Sequence, residues 1–94
     1  MNKLLITYDL MKEGQNYPNL IENILKIAPA KMIWHCLESV WIVKCNSTAT
    51  EVRDFLIQFI DENDKLLVVE LTGTSAWRGF NEECKNWLIL NLPN

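Results

Sequence analysis

Three short runs in this chain, LLI at 4–6, VWIV at 40–43 and LLVV at 66–69, are apolar at consecutive positions. Successive side chains of a strand point to opposite faces of its sheet, so a strand with one wet face should alternate apolar with polar. These runs need cover on both faces. The cover must come from a further helix of the chain or from a second copy, because a large apolar patch left open promotes association.

The segments between the runs set their order. Residues 3–9, KLLITYD, read as a strand that ends in the polar segment MKEGQNYP, whose Gly14 and Pro18 predict a loop. Pro18 suits the first turn of a helix, and Leu20, Ile21, Ile24 and Leu25 recur at helical spacing through to Ala28, where Pro29 stops the pattern. Residues 31–37 and 40–45, KMIWHCL and VWIVKC, flank Glu38-Ser39 as the two arms of a hairpin. Thr48 and Glu51 are spaced as a capping box, in which two side chains satisfy free amides at a helix start. Val52, Phe55, Leu56, Phe59 and Ile60 then form one stripe, closed by the polar residues 61–65. Residues 66–71, LLVVEL, predict a fourth strand. After a T-G-T-S turn, Phe80, Cys84, Trp87 and Leu88 fall on one side of a C-terminal helix.

A βαββαβ order of this kind closes as an α+β, ferredoxin-like fold: a four-stranded antiparallel sheet with two helices on one face and the first and third strands at the centre. Here an additional C-terminal helix follows. No linker or repeat divides residues 1–94, which read as a single domain. A chain of this length buries only about 60–65% of its unfolded surface, so a partner subunit would add stability. The apolar second face and the short chain together predict a twofold homodimer, with the C-terminal helix contributing to the same cover.

Charge and cysteine usage narrow the function classes. The net charge is −3 and no run of lysine or arginine marks a basic tail, which weighs against tight sequence-independent binding to nucleic acid, although a local basic patch stays open. The apolar runs are too short to cross a membrane, and the first residues lack the pattern of a signal peptide, so the expectation is a cytoplasmic protein. Cys36, Cys45 and Cys84 form no C-x-x-C pair, and the chain has one histidine. That spacing predicts buried reduced thiols rather than a disulfide framework or a zinc site. Catalysis by Cys36 with His35 is disfavoured, because adjacent strand residues point to opposite faces. His35 reads instead as a strand histidine with a satisfied hydrogen bond.

Asp9 is the most informative polar residue. It follows a buried strand and precedes a loop, where a carboxylate is rigidly held yet open to solvent. One reading is an Asx turn, with Asp9 accepting amides of its own loop. The other is a magnesium ligand, since magnesium takes one or two protein carboxylates and completes its shell with water and substrate phosphate. One aspartate per chain is a thin ligand set; a twofold dimer supplies two. Among the tryptophans, Trp41 and Trp87 sit in apolar patterns and predict core packing. Trp77, beside Arg78 and Gly79, suits either packing at the sheet or a contact to base and phosphate.

The start LLITYDL, the length and the element order resemble the small CRISPR-associated protein two family of ferredoxin-like homodimers. The segments ITYDL, GQNY, WIVK and LTGTSAWRGFNEEC resemble a small bacterial group labelled SinR-like, over nearly the whole chain and most distinctively at 71–84. The first resemblance implies magnesium-dependent cleavage of RNA or DNA by a homodimer, with Asp9 of the Tyr8-Asp9 pair as catalytic residue and metal ligand. Tyr8, Lys12, Trp77 and Arg78 are the accompanying candidates for nucleic-acid contacts. Two features depart from that pattern: only Lys12 carries positive charge in the loop after Asp9, and FNEECKNWLILNL reads as a helix where relatives often add a strand. The alternative is a non-catalytic dimeric interaction module, of a toxin–antitoxin or phage-defence kind, whose acidic surface binds a protein partner.

Overall fold

The structure, a computed structural model, describes residues 1–11 and 17–93. Its elements are β1 (Asn2–Asp9), α1 (Tyr17–Ile24), β2 (Ile33–Leu37), β3 (Val40–Cys45), α2 (Ala49–Leu56), β4 (Lys65–Glu70) and α3 (Glu82–Asn91), in the order that the sequence predicts. Short 3-10 turns at Ala30–Met32 and Ile57–Phe59 precede β2 and follow α2. The strands form one antiparallel sheet in the order β2-β3-β1-β4, so β1 and β3 are central as expected.

Strand alternation divides the core in two. On one face Leu4 and Ile6 of β1 and Trp41 and Val43 of β3 pack under Leu20 and Ile24 of α1 and Val52 and Leu56 of α2. The predicted capping box starts α2: Thr48 Oγ1 accepts from the Glu51 amide at 3.1 Å, and Glu51 Oε1 accepts from the Thr48 amide at 2.9 Å. Burying this apolar stripe, rather than propensity, holds so short a helix in place.

The opposite face is covered over half its width. Trp34 of β2 and Ile42 of β3 are buried beneath Leu88 and Leu92, on α3 and at its end, with Phe80 edge-on to Trp34 at 5.2 Å between ring centres. Asn81 caps α3 by accepting the Cys84 amide at 2.8 Å, and Glu82 and Glu83 lie in its first turn, where the helix dipole favours negative charge. At the other end Lys3 Nζ donates to the Leu92 carbonyl at 2.5 Å. Over the β1–β4 half, the register pairs Leu5 with Val69 and Thr7 with Leu67, and both Leu67 and Val69 are exposed. The consecutive apolar runs are thus explained by two apolar surfaces, one of them only partly sheltered by the chain itself.

Several boundaries and one covalent feature differ from expectation. The first helix ends at Ile24 rather than reaching Ala28, with the amides of Leu25, Lys26 and Ile27 bonded in closing turns. Residues 31–32 belong to a 3-10 turn, and Phe59 and Ile60 lie beyond α2, because the chain must bend to enter β2 and β4. Phe80 precedes α3 and packs from the connecting segment, and the T-G-T-S stretch is a turn that starts no helix. The expectation of three reduced thiols is corrected. Cys36 and Cys84 form a disulfide across 48 residues, and Cys45 alone is a buried free thiol. Sequence spacing could not reveal the pair, because its two halves meet only when α3 crosses β2.

Candidate functional site

Asp9 ends β1, exposed, on the face that carries Leu5 and Thr7. Its register partner on β4 is Lys65, and the two residues with Thr7 and Leu67 border a shallow depression of about 230 Å³. The exit of the strand is tied down by a different acid. Asp64 accepts the Met11 amide on Oδ1 and the Asp61 amide on Oδ2, each at 2.8 Å, joining the exit of β1 to the turn before β4. The Asx-type role open to Asp9 in the sequence is therefore filled by Asp64. Within 61–65 the sequence offered a polar turn but no sign that one of its acids would reach across to residue 11.

Tyr8, one position back, faces the other way. It is buried among the helices, where its hydroxyl oxygen accepts the Trp41 indole N–H at 3.1 Å and its ring meets Tyr17 edge-on at 5.9 Å. Strand alternation thus separates Tyr8 from Asp9, and Tyr8 holds a core position rather than one open to a phosphate. Lys12 lies outside the described residues. Trp77 and Arg78, both exposed, occupy the connection between β4 and α3 and border an apolar groove of about 380 Å³ whose floor includes Leu5, Val40 and Ile42. They share the half-covered face with Asp9 but line a separate depression.

The remaining aromatic and histidine residues are structural. Trp34 donates its indole N–H to the Cys84 carbonyl at 3.1 Å, and Trp87 donates to the Lys31 carbonyl at 2.9 Å, both pinning α3. His35 stacks on Trp41 with ring centres 3.6 Å apart, and its Nδ1 lies 3.0 Å from the Val40 carbonyl, the satisfied contact expected of it. It and Cys36 point to opposite faces, as strand geometry requires.

Among the described residues no group of three or more histidine, cysteine, aspartate or glutamate side chains is placed to hold a metal ion. Among the described residues Asp9 is the acid at this depression, with the cationic Lys65 in register beside it. That donor set does not fit magnesium unaided. No protein-family model matches the chain, and no solved structure matches it.

Proposed function

We propose that this protein acts as a ferredoxin-like homodimer joined through the uncovered β1–β4 half of its sheet, and that the dimer is a magnesium-dependent nuclease of RNA or DNA. The observation that carries the reading is the position of Asp9: exposed, at the end of a central strand, on the same face as the apolar residues Leu5, Leu67 and Val69 that call for a partner. Association about a twofold axis passing near the Asp9 end of that half would set two Asp9 carboxylates near each other. Magnesium held there would supply charge stabilisation and an activated water. Asp9 would orient that water, Lys65 would offer positive charge to a phosphate, and Arg78, Trp77 and Lys12 are weaker candidates for backbone and base contacts. The resemblance to the CRISPR-associated and SinR-like groups, and with it a place in the cytoplasm, belongs to this reading.

The second reading is a non-catalytic interaction module that binds a protein partner in a toxin–antitoxin or phage-defence setting. It is favoured by Lys65, which lies in register with Asp9 and would oppose a bound cation, and by the net charge of −3. Cleavage assays on RNA and DNA separate the two. The nuclease reading expects wild-type cleavage with magnesium or manganese that disappears both with chelator and in Asp9→Ala. Wild-type protein that cuts nothing and binds no oligonucleotide at low salt gives the function to the interaction module. A strict monomer by light scattering at high micromolar concentration removes the paired-carboxylate site.

A further inference from the structure

The Cys36–Cys84 disulfide stands at the rim of the sheltered half of the second face. Cys36 lies on edge strand β2, and Cys84 lies in the first turn of α3, so the bond ties the start of the covering helix to the rim of the sheet. Both cysteines are half-buried rather than enclosed in the core. The contrast with the other face matters: α1 and α2 are held by a large continuous core, whereas α3 rests on a small cluster of Trp34, Ile42, Leu88 and Leu92.

Among the described residues α3 is also fastened by the two indole hydrogen bonds to the Cys84 and Lys31 carbonyls and by the Lys3 ammonium at the Leu92 carbonyl. A ten-residue helix is marginal without packing, and the connection at 71–81 contains Gly73 and Gly79, both at positive φ, between β4 and the helix cap. On its outward side α3 carries Ile89 and Leu90, exposed by 50% and 79%. Its apolar residues are thus spread around the helix rather than gathered on one seat.

From this arrangement we infer that Cys36–Cys84 is a thiol–disulfide exchange site acting as a latch on α3. A dithiol thiolate attacks one sulfur, the Cys36–Cys84 bond breaks, and a mixed disulfide forms. The second thiol of the reductant then displaces the remaining protein sulfur. Two electrons and two protons pass to Cys36 and Cys84, and the reductant leaves as its own disulfide. With the latch open, α3 lifts from β2, and Trp34 and Ile42 join Leu5, Leu67 and Val69 in one apolar face. The device stands independently of nuclease activity and of dimerisation.

Hydrogen exchange read by mass spectrometry tests it on the full chain, with β1 and β3 as internal reference. In the oxidised wild type, amides of residues 85–92 are expected to be protected. Dithiothreitol, and equally the double variant Cys36→Ser/Cys84→Ser, should speed their exchange at least about tenfold more than that of β1 and β3. Cys45→Ser, which leaves the disulfide in place, should behave as the oxidised wild type. The inference is overturned if reduction leaves 85–92 as protected as before, or if 85–92 and the strands of the sheet lose protection by the same factor, which would make the bond a general staple. It is overturned equally if thiol alkylation of air-equilibrated native protein labels Cys36 and Cys84.

Discussion

The Tyr8 hydroxyl oxygen takes up the Trp41 indole N–H in a buried setting, so removing it leaves a donor without its acceptor. Tyr8→Phe is expected to lower unfolding free energy by about 1–3 kcal/mol in a denaturant titration, the range for stranding one buried polar group. No loss of surface binding should accompany it, since the ring stays packed. Asp9→Ala belongs to the opposite class. Asp9 is exposed and bears on no core contact, so the substitution should shift stability by no more than about 0.5 kcal/mol. A large fall in cleavage with unchanged stability is the expected signature, measured by nuclease assay and melting on the same preparation. A large loss of stability would give Asp9 a structural role.

At the scale of elements, α2 is anchored at its start by reciprocal bonds between Thr48 and Glu51. Thr48→Ala should cost about 1 kcal/mol, within the range for lost helix caps, and urea unfolding with an unchanged slope would register it. The link between β2 and α3 is stronger. Closing a loop across 48 residues restricts the unfolded chain by about 4 kcal/mol on the chain-entropy account. Comparing oxidised and reduced protein in the same titration measures that contribution. Because α3 packs on a satellite cluster while β1 and β3 carry the main core, the first loss on reduction should be in α3.

Over the whole molecule, the uneven cover of the two sheet faces dominates. One face is closed by two helices and the other by one, leaving Leu67 and Val69 open beside Asp9. A dimer through this half predicts a melting temperature that rises with protein concentration, as mass action requires. Leu67→Asp should abolish that dependence and shift the protein to monomer in light scattering, while low-concentration stability stays nearly unchanged because Leu67 is already exposed. A melting temperature independent of concentration in the wild type would refute the interface. No described helix is long and apolar enough to cross a membrane, so the open apolar patch is not part of a helical span.

Local chemistry made much of this readable along the chain. Period-two and period-3.6 apolar patterns, the Thr48–Glu51 box, Pro18 at a helix start and Glu38-Ser39 at a hairpin all act over a few residues, and the corresponding elements appear where those signals stand. The consecutive apolar runs likewise demand cover on both faces from strand geometry alone. What lay beyond reach were meetings between residues distant in sequence: Cys36 with Cys84, Asp64 with Met11, and α3 over one half of the sheet. These depend on register and helix placement, which are settled by the packing of the whole core. The position of Asp9 at a strand end could be read locally, but the company it keeps, Lys65 in register and Tyr8 turned inward, follows from sheet pairing alone.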